Sequence, residues 1–298
     1  MNKQREATLY GLAVALLWGL SFLSIKVAVA VVPPMTMAVI RFVIACAVLP
    51  LVALLAGESL RISLRDLPVF IGGGFTGVTL YFLGENNGVA LLTASESSLI
   101  IGSIPVLTVL AEEVFLKNRV GARVHTGAFV SFLGVALIVA PSLGSQVHRL
   151  GYLYMGMAAL AWVAYSFLTR GVASRYGKIN VIFWQSLFGL LGCVPFALME
   201  TQAWKMPGPV VVLNLLYLGV VCSAAGYWLY ASALDHLGAG RASVFVNLIP
   251  VVSVIASFFL LGERLGVFQL VGGTIAVLGV YLATVTPGTG LRRAAHEG

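Results

Sequence analysis

Trp18 and Trp162 each stand about eleven residues inside a long apolar run, too deep for the aromatic belt that marks a membrane surface. On a helix Trp162 shares a face with Tyr165, Ser166 and Thr169, and Trp18 shares one with Ser21 and Phe22. Rings beside hydroxyls at that depth suit a cavity that meets both water and an organic solute; the alternative is two large side chains filling a bundle. Other runs show similar mixed faces: Gly77, Tyr81 and Glu85, with the glycine leaving room beneath the Tyr81 ring; Ser223, Tyr227 and Tyr230; Ser95, Ser98, Gly102 and Pro105; and Ser243, Asn247 and Pro250. The chemistry on offer is recognition without bond breaking. Trp18, Tyr81, Trp162, Tyr227 and Tyr230 would contact the apolar part of a solute, and Ser98, Tyr165 and Asn247 would hydrogen-bond its polar ends. Serines within membrane helices also bond helix to helix, which is the plainer role for any one of them.

Pro105 and Pro250 lie about twelve residues into their runs, near mid-membrane at roughly 1.5 Å rise per residue. Each removes a helical hydrogen bond and crowds the carbonyl four residues back, here Ile101 and Val246. Freed carbonyls at that depth need protein or a wet cavity beside them, so both prolines are hinge candidates.

Intramembrane charge is costly and marks function or a specific partner. Arg41 and Glu85 are expected to face the interior near the outer mouth, with Arg41 free to pair with Glu85 or Glu96. Thr93 and Glu96 fit a capping box, Glu113 can pair with Lys117 at i,i+4, and Lys26 and Arg170 can snorkel to opposite surfaces. No run carries an acidic residue at its centre, so a neutral, aromatic-lined cavity for zwitterionic or uncharged solutes is expected.

Nothing resembles a catalytic set. His125, His148, His236 and His296 fall near run ends or in tails, no phosphate loop occurs, and the carboxylates sit at helix ends. Cys46, Cys193 and Cys222 are widely spaced within apolar runs, which suggests packing and neither a disulfide framework nor a metal site. An enzyme, a cofactor and a metal are therefore not expected.

The elements that must position these residues are membrane helices. The chain is 59% hydrophobic and 10% charged, where a soluble protein carries about 25% charged residues. Ten runs approach the roughly 20 residues a spanning helix needs: 7–31, 34–56, 67–90, 93–116, 122–141, 151–171, 179–200, 209–234, 239–261 and 267–286. With the N-terminus inside, the opposite loops hold only Arg149, Lys205 and Arg264 of the 18 Lys and Arg. By the positive-inside rule both termini are cytoplasmic, and the net charge of +7 reflects topology with no nucleic-acid partner. Lys3 and Arg5 before an apolar run could mimic a cleaved signal; the match of Trp18 to Trp162 and of Lys26 to Arg170 favours a retained first span.

Residues 94–139 align without a gap on residues 239–284, at a constant offset of 145. Ala94 pairs with Ala239, Ser98 with Ser243, Ile104-Pro105-Val106 with Ile249-Pro250-Val251, and Leu133-Gly134-Val135 with Leu278-Gly279-Val280. Five spans per repeat is an odd number, so the second half is inverted, and the loss of basic residues around Glu263 and Arg264 relative to Lys117 and Arg119 agrees. Inverted repeats of this kind mark transporters whose pathway lies at the repeat interface.

Ala239, Ala242-Ser243, Asn247-Leu248-Ile249-Pro250-Val251, Leu261-Gly262-Glu263, Gly272-Gly273 and Leu278-Gly279-Val280 together resemble the EamA domain of the drug/metabolite transporter superfamily. The first half matches more loosely, with Asn118 where the second has Glu263. The resemblance implies an all-α fold of ten transmembrane helices, as two inverted five-helix repeats (1–145 and 146–298) around a central cavity. It also implies peripheral fifth and tenth helices, and a branch that includes bacterial inner-membrane exporters of amino acids, aromatic ones among them. The function expected is alternating-access export of amino acids or similar metabolites; efflux of drugs or toxic organics is the first alternative, a sugar-phosphate or nucleotide-sugar antiporter the second. The partners expected are the solute and the lipid bilayer, with the chain a monomer or a weak homodimer. Small residues at four-residue spacing, Gly73 with Gly77, Gly127 with Ser131 and Gly272 with Ala276, allow close helix contact.

Overall fold

The computed structural model describes residues 3–117, 121–140, 146–173, 175–237, 245 and 248–284. Among them every extended element is helical. α1 covers Lys3–Val29 and α2 Pro34–Ala56; α3 runs through Leu67–Gly74, a π-helical stretch Phe75–Leu80 and Tyr81–Leu91. α4 is in two pieces, Ala94–Ile101 and Ile104–Leu116, and α5 covers Ala122–Val139. α6 is Gln146–Ala173 and α7 Lys178–Leu198; α8 joins Pro209–Leu216, a π-helical stretch Tyr217–Ala225 and Gly226–Leu237; α9 is Ile249–Leu261 and α10 Val267–Thr284. Seven of the described helices are long and apolar enough to cross a membrane, and three shorter apolar ones cover 122–138, 249–261 and 267–282.

Local signals explain several boundaries. The Thr93 hydroxyl accepts from Glu96 N at 3.1 Å while the Glu96 carboxylate accepts from Thr93 N, so the expected capping box opens α4. Gly57 and Gly262 close α2 and α9 in the left-handed region, where glycine has no Cβ to clash. α4 breaks between Ile101 and Ile104, and Pro105 is the second residue of the new piece. Proline is harmless there, because the first turn of a helix has no internal acceptor for its missing N–H. Pro250 holds the same place in α9.

Most of the interior is one large cluster in which Phe42, Phe82, Ile25, Met35 and Met37 are fully buried, with two small satellites around Val106 and Phe70. The outside carries Leu9, Leu16, Leu54, Leu55, Leu153, Leu160 and Phe259, all exposed. In water that much apolar surface would be an aggregation hazard; facing lipid tails it is the expected exterior of a bundle whose backbone groups bond within each helix.

Helices pack across the two halves: α1 on α8 and α9, α2 on α7, α3 on α6, α4 on α9, and α5 most extensively on α10. The α5–α10 contact uses the small-residue stripes of those two helices within one molecule. A Cβ on Gly134 would lie 2.3 Å from Ala276 N, and one on Gly279 would lie 2.2 Å from Ser131 N. Gly77 also admits a close neighbour, but a different one from the sequence expectation. Its missing Cβ makes room for the Tyr165 ring of α6, because Tyr81 lies one turn along and points into the bundle centre.

Candidate functional site

The two tryptophans meet. Trp18 on α1 and Trp162 on α6 stand edge to face with centroids 6.2 Å apart. Tyr227 packs against both, at 5.5 and 6.0 Å; Tyr230 lies 5.3 Å from Trp18, and Tyr81 lies 5.0 Å from Trp162. Such pairs contribute about 0.5–1.5 kcal/mol each beyond area burial, so the cluster is a rigid wall. Trp18 is pinned further by donating from Nε1 to the carbonyl of Cys222 at 3.2 Å.

This wall encloses a central cavity with Ser21, Phe22, Phe82, Ile101, Ile104 and Ile249. The three isoleucines flank the two proline-marked helix starts, so the break in α4 and the start of α9 border the cavity directly. Its volume is about 60 Å³, enough for a few waters at roughly 10–15 Å³ each.

The candidate residues divide into three groups. Trp18, Tyr81, Trp162, Tyr227 and Tyr230 line the central cavity. Tyr165 stands 5.2 Å from Trp162 but borders a small neighbouring pocket with Gly77, Val78, Ile182, Gln185, Ser186 and Tyr227. Ser98 is fully buried and donates to its own helix at the Ser95 carbonyl, 2.8 Å away, so it does not line the cavity. A hydroxyl that closes a bond to its own backbone has no donor left for a solute. Asn247 and Ser243 lie outside the described residues.

Charge placement departs most from expectation. Arg41 and Glu85 both line the central cavity, which is therefore not a neutral chamber. Arg41 pairs with neither carboxylate proposed for it. Its Nε donates to Ser223 Oγ on α8 at 2.6 Å, while Glu85 accepts from Tyr81 at 2.7 Å and Glu96 accepts from Thr93 and Tyr152. The reason is packing. Ser223 lies in the π-helical stretch of α8 against α2, and Glu96 is consumed by its cap. Lys26 does not snorkel outward but donates to the carbonyls of Val89, Ala90 and Leu92, neutralising the C-terminal end of α3. Glu113 bonds His125 at 2.9 Å and not Lys117, which leaves the helix with positive φ. The Arg170 side chain lies outside the described residues.

Three carboxylates act as caps in trans. Glu200, after α7, accepts from Met35 N, Thr36 N and Thr36 Oγ1 at the start of α2. Glu58, after α2, accepts from Ile179 N at the start of α7, so α2 and α7 lie antiparallel and cap each other. Glu263, after α9, accepts from Ala94 N, Ser95 N and Ser95 Oγ at the start of α4. Sequence reasoning missed these caps because each spans more than a hundred residues. It also missed the π-helical stretches of α3 and α8, which carry no compositional signal and place Tyr81 and Tyr227 at the cavity.

The EamA-like transporter family matches the chain twice, over residues 6–140 and 149–285, and the chain belongs to that family. It is a multi-pass helical transporter of the inner membrane, within the drug/metabolite transporter superfamily. An uncharacterized transporter of Archaeoglobus fulgidus is 28% identical over 266 residues, 89% of this chain and 94% of that one. A probable amino-acid metabolite efflux pump of Escherichia coli is 24% identical, covering 93% of this chain and 94% of that one. A probable terminal-alkyne amino-acid exporter of Streptantibioticus cattleyicolor is 27% identical over 73% of each chain. A solved crystal structure with 22% identity superposes with a TM-score of 0.67, over 94% of this chain and 98% of that chain, which is a likeness of fold.

Proposed function

We propose that this transporter exports amino acids, aromatic and large neutral ones among them, or similar small metabolites, by alternating access. The observation that carries this reading is the wall of Trp18, Trp162, Tyr81, Tyr227 and Tyr230 around a central space with polar groups at its edge. Large rings offer contact area to an apolar side chain, and buried polar groups fix the orientation of its polar end. The names of the Escherichia coli and Streptantibioticus relatives support the same class of solute.

In this reading residues 1–145 and 146–298 form two inverted five-helix repeats with both termini cytoplasmic. The end of the bundle that holds Lys26, Glu200 and Glu263 is then the periplasmic one. The helix starts at Pro105 and Pro250 let α4 and α9 swing while α2 and α7 hold the frame. The chain works as a monomer, with α5 and α10 at the periphery.

Uptake of radiolabelled amino acids into proteoliposomes, as a competition panel with and without a proton gradient, tests the assignment. Saturable uptake of aromatic or large neutral amino acids is expected. Trp18→Ala and Trp162→Ala should each lower transport about ten-fold or more, by loss of buried aromatic contact, with membrane abundance intact. Unchanged transport in both variants would sink the assignment.

A further inference from the structure

Two charged side chains line the cavity without meeting. Arg41, on α2, is 3% exposed and Glu85, on α3, is 4% exposed. Both border the space enclosed by Trp18, Trp162, Tyr227 and Tyr230. No ion pair joins the two among the described residues.

Arg41 is held in place and left unfinished. Its guanidinium carbon stands 4.4 Å from the Phe82 ring centroid and 5.9 Å from that of Phe42, and Nε is tied to Ser223. Nη1 is buried with no hydrogen-bond partner. A desolvated guanidinium with an unused N–H is costly to maintain, and the group it fits best is a carboxylate. Glu85 is oriented by its hydrogen bond from Tyr81, whose ring also packs on Trp162. If the two charges served only to neutralise each other, direct contact would be the cheapest arrangement, and the structure does not make it.

Building on the amino-acid reading above, we propose that Arg41 takes the carboxylate and Glu85 the ammonium of an α-amino-acid zwitterion, whose side chain lies against the aromatic wall. The two protein charges cancel and so do those of the solute, so loading adds no net charge to the membrane interior. An amine without a carboxylate leaves Arg41 unpaired, and an acid without an ammonium leaves Glu85 unpaired. Selectivity against both arises from the buried group left alone.

The test is calorimetric titration of the full chain in lipid nanodiscs with L-phenylalanine, phenethylamine and 3-phenylpropanoate. In the wild type each truncated analogue is expected to bind about thirty-fold more weakly or worse. In Arg41→Gln the penalty for phenethylamine should shrink to within about three-fold while that for 3-phenylpropanoate persists; Glu85→Gln should do the reverse. Wild-type protein that binds all three alike overturns the proposal and leaves the amino-acid reading standing, as does Arg41→Gln that keeps the full phenethylamine penalty. The wild-type series decides the matter even if a variant fails to fold. Well-folded wild type that binds neither L-phenylalanine nor any other of the twenty common amino acids overturns the amino-acid reading, and this inference with it.

Discussion

Among the described residues, the seam between α2 and α7 carries a carboxylate clasp at both ends and the seam between α4 and α9 carries one at a single end. Glu200 holds the start of α2 through three hydrogen bonds, and at the other end Glu58 holds the start of α7. Between α4 and α9 Glu263 holds the start of α4. At the opposite end the offset of 145 pairs Glu263 with the neutral Asn118, which lies outside the described residues. A carboxylate on helix N-terminal N–H groups gains both charge-assisted bonds and the helix dipole. Two such clasps make a fixed frame. Between α4 and α9 the described residues show one, and this seam also carries the helix starts at Pro105 and Pro250 and places Ile101, Ile104 and Ile249 on the cavity.

The largest effect is expected from breaking the frame. Glu200→Ala orphans three donors at the start of α2 and should lower stability by about 2–4 kcal/mol, read as the unfolding midpoint in detergent. Transport per folded molecule should hold. A midpoint that does not move would mean that the seam is held by packing alone.

Glu263→Ala should cost somewhat less, about 1–3 kcal/mol, because the Thr93–Glu96 box still caps α4. Here the rate per folded molecule should change as well, and an unaltered rate would erase the distinction between the two seams. Asn118→Glu sharpens the comparison from the other side. A carboxylate at the position that the repeat matches to Glu263 should raise stability by about 0.5–1 kcal/mol and slow transport, measured in the same proteoliposomes.

The smallest effect concerns the loop beside the frame. Asp66 accepts from Tyr176 at 2.6 Å and from Arg175 at 2.7 Å. The Tyr176 hydrogen bond first, and then the Arg175 guanidinium, hold its carboxyl below the usual range against the opposing pull of burial. A lowered folded pKa contributes stability that is complete above the unfolded value near 4 and is lost as pH falls through the folded value. The wild-type midpoint should therefore drop more than that of Asp66→Asn between about pH 5 and about pH 3. Parallel curves would show that the Asp66 contacts contribute nothing to folding.

Much of the site was legible because its signal is short-range or symmetric. Depth within an apolar run marked Trp18 and Trp162 as cavity candidates, and the structure brings their rings together. Helical spacing put Tyr227 with Tyr230 and Tyr81 with Glu85, and all four line the cavity. The same spacing misled for Ser98, since a helical face predicts direction and not whether a hydroxyl has already bonded its own helix. It misled for Gly77 too, whose gap serves Tyr165 on another helix.

The sequence by itself determined the membrane helices, the repeat, the family and the Thr93–Glu96 cap, because hydropathy, self-similarity and i,i+3 chemistry act within a few turns or compare the chain with itself. Only the tertiary structure decided the partners of the charges. Arg41 found Ser223 across 182 residues, Lys26 found the carbonyls of α3 across more than 60, and Glu263 found α4 across 169. In a low-dielectric interior each buried charge takes the polar group that packing brings within about 3 Å, and no local pattern in the chain specifies which group that will be.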